Sequence, residues 1–143
     1  NIMSRGEFVV NLVPESLAKQ MNITSMDAPS DVSELSAAGL TARPSLHVTP
    51  PQIAESPVSF ECVTHTTVVT GPGQVIAIGR VLGIRIDDAY ILDADKGYID
   101  TPALGMIGRL HGSGWYTRTQ DSFQLDRPSY ADWIEKSGLD KKE

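Results

Sequence analysis

The chain has 143 residues, a formal net charge of −6 and a hydrophobic share of 41%, which suits one globular domain with a real core. Lys and Arg are scattered, and the only short basic run is Lys141-Lys142 beside Glu143, so a nucleic-acid backbone is not an expected partner. No apolar run approaches the ~18 residues that span a bilayer, no secretory leader is visible, and the single cysteine, Cys62, matches a reducing, cytoplasmic setting; a membrane is not an expected partner either.

Residues 1–5 followed by Gly6 read as the last turn of a helix closed by a glycine. A helix end without a beginning predicts a natural chain that starts earlier. Residues 7–13 are β-branched and apolar and predict a strand. Pro14 opens a helix at the position where a missing N–H costs least, with Leu17, Ala18 and Met21 on one face. Asp31 and Glu34 have the spacing of a capping box ahead of a short helix over 32–38 that Gly39 ends. Residues 40–51 carry three prolines and predict an extended segment wrapped on the surface.

Residues 58–70 give the clearest strand, with Val58, Phe60 and Cys62 alternating with Ser59, Glu61 and Val63. Cys62 shares its face with apolar neighbours and reads as a buried small residue. Gly71-Pro72-Gly73 is a turn, and residues 74–86 form the returning strand of a long hairpin. That second strand is apolar on both faces, so helices or a partner subunit must cover its outer side. Gly79 and Gly83 mark bends or close approach. Turns follow at Asp87-Asp88 and 94–97, with a short strand between them at 90–92. Residues 104–110 fit either a helix or a strand, Trp115-Tyr116 begins another strand, and Pro128 opens a final helix with Tyr130, Trp133 and Ile134. Strands outweigh helices, so the class is mainly β, a barrel or a sandwich.

The three histidines lie far apart and form no zinc pattern with one cysteine. Asp93-Ala94-Asp95-Lys96-Gly97 resembles the start of a calcium loop, but its glycine comes one position early and Leu104 stands where glutamate would close the site; a plain turn is expected. Neither a nucleophile elbow nor a phosphate loop is present. The stretch densest in ligand-competent side chains is residues 109–116, with Arg109, His111, Trp115 and Tyr116. It is either a ligand-facing cluster or a barrel-rim turn whose aromatics pack.

Several segments taken in order resemble the flavin reductase-like, FMN-binding split-barrel family. They are Asn1-Ile2, Gly6-Glu7-Phe8-Val9-Val10-Asn11-Leu12, Leu17-Ala18-Lys19-Gln20-Met21-Asn22, and Glu34 through Gly39-Leu40-Thr41. Pro50-Pro51-Gln52-Ile53 and Glu55-Ser56-Pro57-Val58-Ser59-Phe60-Glu61-Cys62 follow, then Gly79-Arg80-Val81 to Asp87, and Arg109-Leu110-His111-Gly112 with Tyr116. The resemblance covers roughly residues 1–118. It implies a six-stranded Greek-key split barrel over 1–125 with short peripheral helices, whose N-terminal strands and phosphate-holding lysine-aspartate-threonine stretch precede this chain, followed by a tail with a short helix over 126–143. It implies a homodimer that binds FMN near the subunit boundary and reduces flavin with NAD(P)H, as the reductase of a two-component monooxygenase or, alternatively, a non-catalytic FMN-binding or electron-transfer module. One position departs from the family: Arg85 stands where many members carry a histidine. Within the resemblance, Asn11 offers an amide to the ring edge, Arg109 a positive charge to phosphate or reduced ring, and Tyr116 or Trp115 a stacking face. Each also reads as an ordinary residue: a strand-end asparagine, a surface arginine, packed aromatics.

Overall fold

The computed structural model describes residues 2–29 and 31–137. Asn1, in the expected first helical turn, and Lys141-Lys142 lie outside the described residues. The chain begins with α1 (Ile2–Arg5), closed by a bond from Gly6 N to Ile2 O at 3.0 Å. β1 (Glu7–Asn11) follows. A 3-10 turn (Glu15–Leu17) behind Pro14, whose φ is −73°, leads into α2 (Ala18–Ile23). Then come α3 (Glu34–Ala37), β2 (Ala42–Arg43) and β3 (Gln52–Ile53).

The alternating run after Pro57 becomes the longest strand, β4 (Val58–Gly71), which pairs antiparallel with β5 (Gln74–Ile86) from Val58↔Ile86 to Gly71↔Gln74. Gly73 takes φ 71° in the turn between them, a conformation that is cheap only without a Cβ. β1 lies on the other edge of β4, from Glu7↔Val63 to Asn11↔Ser59, giving a sheet of order β1-β4-β5. Register shifts at Glu61/Cys62 and Thr64/Thr66 bend the hairpin. Both strand glycines mark close approach: the Phe8 ring fills the place of a Cβ at Gly79, and His47 Cδ2 lies 2.6 Å from that place at Gly83.

β6 (Ile91–Asp93) pairs with β7 (Tyr98–Ile99), and β8 (Ile107–Arg109) with β9 (Tyr116–Arg118), each as a two-stranded ribbon. The last element is α4 (Tyr130–Ser137). Among the described residues three strands share a sheet and the others form ribbons, so the fold is mainly β but these strands do not close on one another as a single sheet. No helix among them is long and apolar enough to cross a membrane.

Several local expectations shift for identifiable reasons. The first strand ends at Asn11: Leu12 N still bonds Val58 O in register at 2.9 Å, but Val13 O accepts from Ile107 N at 3.0 Å and Pro14 bridges to Met106, which leads the chain away from β4. The N-cap of α3 is Ser33, not Asp31: its hydroxyl accepts from Ser36 N at 3.3 Å, and Val32 lies outside the helix. Residues 104–110 resolve as turn followed by strand. Ser129 rather than Pro128 caps α4, accepting from Asp132 N at 3.1 Å. The proline-rich segment is not simply extended. It makes the β2–β3 pair and bends between them, with Ser45 donating its hydroxyl to Pro50 O at 2.6 Å.

That segment is held down by side chains from one face of the sheet. By register, Glu7, Asn11, Ser59 and Glu61 share this face, and Phe8, Phe60 and Cys62 share the other. Glu61 is 2% exposed. Its carboxylate accepts from Leu46 N at 3.0 Å, His47 N at 2.6 Å and Gln52 Nε2 at 2.5 Å. Glu7 accepts from Thr49 N at 2.9 Å, and Asn11 Oδ1 from Ile53 N at 3.0 Å and from Ser59 Oγ at 2.8 Å. The buried apolar set is Ala38, Val48, Val58, Cys62 and Leu104. Burial raises the Cys62 thiol pKa, as expected for an inert core residue. The outer strand is different: Val75, Ile76, Ile78, Val81, Leu82 and Ile84 of β5 are all exposed, Ile84 to 59%. The cover that the sequence calls for is not supplied by the described residues.

Burial raises the Glu61 pKa, but the donors from Leu46, His47 and Gln52 outweigh it, and the net shift is below the ordinary 4.5. A folded-state pKa below the unfolded one gives stability that is full above the ordinary value and lost as pH falls through the lowered one. Glu61→Ala takes the acceptor from the part-buried Leu46 and His47 N–H groups and from the buried Gln52 amide, whose unpaired donor alone costs about 1–3 kcal/mol. Urea unfolding at pH 7 is expected to show a loss of at least about 2 kcal/mol, and the gap between wild type and variant is expected to shrink in acid. An equal gap at pH 7 and pH 3 would contradict the assignment.

Candidate functional site

Pro14 fixes the chain at the start of the 3-10 turn, and the 3.6-residue period then places Leu17, Gln20, Met21 and Thr24 on one side of α2. These four residues, with Asn11 and Ile53, line a cavity of about 190 Å³ between α2, the end of β1 and the segment after β3. Its walls are mainly apolar, and one polar atom is out of place: Gln20 Oε1 is buried without a hydrogen-bond partner. A buried acceptor left unpaired costs about 1–3 kcal/mol, which a donor on a ligand would recover.

Asn11 stands at the same cavity. Its Oδ1 accepts from Ile53 N and Ser59 Oγ, which fixes the amide orientation and leaves the Nδ2 donors without a partner among the described residues. The cavity therefore offers an acceptor from Gln20 and donors from Asn11. This set suits a planar group with an amide- or imide-like edge.

The 109–116 cluster adjoins it. Gly112 and Gly114, at φ 65° and 82°, turn the chain between β8 and β9, so that Arg109 and Tyr116 are paired across the ribbon. Arg109 donates from Nη1 to Tyr116 Oη at 3.0 Å and from Nη2 to Gly112 O at 2.7 Å, with the guanidinium carbon 5.1 Å from the ring centroid. Tyr116 Oη donates to Met21 Sδ at 3.9 Å, and Met21 is a wall of the cavity. The three sequence candidates thus occupy one region: Arg109 and Tyr116 touch, Tyr116 touches a cavity wall, and Asn11 is another wall. Trp115 is 64% exposed and packs as no core residue would.

Gln20 was not among the sequence candidates. It lies three residues after Leu17, on the inner side of α2, and a polar residue on an otherwise apolar helical face is the signal that marks it. Arg85 is tied down rather than free on the surface, with Nη1 donating to Ser56 O at 2.9 Å and an ion pair to Asp87. Asp93 belongs to a closed turn: it accepts from Lys96 N at 3.1 Å and pairs with the Lys96 ammonium at 3.1 Å. Lys96 lowers the Asp93 pKa through these hydrogen bonds.

The sequence matches the profile of the flavin reductase like domain over residues 1–101. An uncharacterized protein of Deinococcus radiodurans is 41% identical over 136 residues, covering 95% of this chain and 60% of the relative. The structure superposes on Pseudomonas fluorescens 2-nitrobenzoate 2-nitroreductase with a TM-score of 0.81 at 28% identity, covering 91% of this chain and 64% of that one. It matches nitrilotriacetate monooxygenase component B from Bacillus cereus with a TM-score of 0.78 at 29% identity, over 87% and 62% of the two chains. The chain spans about 60% of the length of the first curated relatives it matches.

The two kinds of candidate residue separate by stability. Asn11→Leu orphans Ile53 N and the Ser59 hydroxyl, and urea unfolding is expected to show a loss of about 1–3 kcal/mol. Arg109→Ala removes an exposed side chain and is expected to stay within about 0.5 kcal/mol of wild type. A large loss from Arg109→Ala would make that residue a structural brace.

Proposed function

Because the chain belongs to the flavin reductase-like family, a family of mainly β split-barrel proteins, we propose that the intact protein binds FMN at the Gln20 cavity and reduces flavin with NAD(P)H. The observation that carries this reading is the unpartnered Gln20 Oε1 beside the free Asn11 Nδ2 donors. A flavin ring ends in an edge that alternates carbonyl oxygens with one N–H, and these two side chains supply its complements. Bound FMN would supply the redox chemistry, as acceptor of the hydride that NAD(P)H donates, and the protein holds and shields it.

Leu17, Met21 and Ile53 exclude water from one end of the ring. Tyr116, fixed by Arg109 and Met21, supplies an aromatic wall, and Arg109 brings positive charge to the same side. The cavity of about 190 Å³ is below the ~300 Å³ at which sites for whole cofactors begin, so it would take part of the ligand. No basic side chain is among its walls; the phosphate would be gripped beyond them, with Arg109 adjoining. A second copy of the chain would cover the exposed apolar residues of β5 and complete the site from across the boundary. The structural likeness to a monooxygenase component B supports a role in delivering reduced flavin to a monooxygenase partner.

Steady-state oxidation of NADH and NADPH with FMN, FAD and riboflavin tests the activity. FMN bound without nicotinamide turnover would favour a non-catalytic electron-transfer module. Flavin fluorescence quenching is expected to show FMN affinity reduced about tenfold in Gln20→Leu and in Arg109→Ala, the loss of one buried or charge-assisted hydrogen bond. Unchanged affinity in both would remove this cavity from the flavin site. Light scattering at micromolar concentration is expected to give a dimer, and a monomer would contradict the covering of β5.

A further inference from the structure

A second cavity, of about 230 Å³, lies on the same sheet face and shares no wall residue with the first. Its polar walls are Arg43, His47, Gln52, Glu61 and Arg85, and Pro44 and Leu46 supply apolar surface. Three observations set its chemistry.

The first is an orphan. Gln52 is 3% exposed, and its Oε1 is buried without a partner. Its amide cannot be turned over to cure this. Nε2 donates to Glu61 Oε1 at 2.5 Å, and the reversed amide would aim an oxygen at a carboxylate. Oε1 is therefore held as an acceptor that needs a donor from elsewhere.

The second is the charge. Glu61 is the only acid among the walls, and its oxygens are engaged by Leu46 N, His47 N and Gln52 Nε2. Arg43 makes one long hydrogen bond, Nη2 to Ala54 O at 3.4 Å, and no ion pair among the described residues. Glu55, bonded to Thr41 N, feels its charge. Arg85 is paired with Asp87. Arg43 thus brings to the cavity guanidinium donors that pair with no carboxylate among the described residues, suited to a ligand carboxylate.

The third is shape. The His47 ring lies on Gly83 so closely that a Cβ there would stand 2.6 Å from Cδ2. With Pro44 and Leu46 this gives a mainly apolar lining, and the volume is the liquid share of about eight waters, enough for one substituted ring.

We propose that this cavity is a binding site for a small aromatic hydroxycarboxylate. The carboxylate pairs with the Arg43 guanidinium, the ring lies against His47 and Pro44, and the hydroxyl donates to Gln52 Oε1. This assignment does not rest on the flavin reading, since the two cavities have separate walls.

Calorimetry on the intact protein uses 4-hydroxybenzoate as the probe and benzoate as the probe without a donor. The expected result is saturable binding of one 4-hydroxybenzoate per chain, with benzoate about tenfold weaker, the worth of one hydrogen bond to a buried acceptor. Arg43→Gln is expected to weaken 4-hydroxybenzoate about tenfold or more while FMN quenching stays at the wild-type value. Gln52→Met, checked for folding by circular dichroism, is expected to bring 4-hydroxybenzoate down to the level of benzoate. If Gln52→Met does not fold, the benzoate comparison and Arg43→Gln decide the matter. No saturable binding, equal affinity for the two probes, or an unchanged affinity in Arg43→Gln would each overturn the proposal.

Discussion

The interaction on which the rest of the structure depends is the capture of the proline-rich segment by the buried carboxylate of Glu61. A segment with this many prolines forms few regular hydrogen bonds of its own, yet its remaining N–H groups cannot be buried unpaired. Glu61 receives two backbone N–H groups and a side-chain amide, Glu7 a third N–H, and Asn11 a fourth. The polar face of β1 and β4 is thereby converted from a solvent face into an inner one. Both cavities follow from this, because each has the captured segment as one wall and the sheet or α2 as another. A buried anion is costly alone, and here it persists because its lone pairs are filled by donors. The same cost makes it a point at which acid loosens the fold.

The other half of the architecture is unbalanced in the opposite sense. β5 carries an apolar stripe that nothing in the described chain covers, although its inner neighbour β4 is well buried at Val58 and Cys62. A row of exposed Ile and Val on an edge strand is a surface that soluble proteins normally close. Under the proposed function that surface would be covered by a second copy of the chain.

The hairpin was legible in the sequence because alternation, a Gly-Pro-Gly turn and two strand glycines all agree. The glycine at the end of α1 was legible for the same reason. The cap of α3 was not, since Asp31 and Ser33 both stand where a cap is plausible and only the backbone decides between them. The fate of the proline segment depends on partners up to 42 residues distant, such as Glu7 to Thr49 and Asn11 to Ile53, and no local signal encodes these. Glu61 reads as the polar outward position of an alternating strand, and its burial is a consequence of that distant segment. Arg109 and Tyr116 were legible as a cluster because glycines surround them. Gln20 was hidden by its polarity, which in a short helix reads as outward-facing until the apolar period around it is counted.

The structure thus joins one polar device, used twice, to two cavities. At each, an amide has one end fixed by the protein and the other without a partner among the described residues: Asn11 its donors, Gln52 its acceptor, with the unpaired Gln20 acceptor at the same cavity as Asn11. Under the proposed function Gln20 Oε1 accepts the ring N–H of a bound flavin. Nuclear magnetic resonance of the intact protein loaded with 15N-labelled FMN tests this directly through the proton on the ring nitrogen between the two carbonyls. The expected spectrum shows a resolved resonance that exchanges slowly with water in wild type and is lost to fast exchange in Gln20→Leu at saturating FMN. A resonance with the same shift and the same exchange rate in both proteins would contradict it.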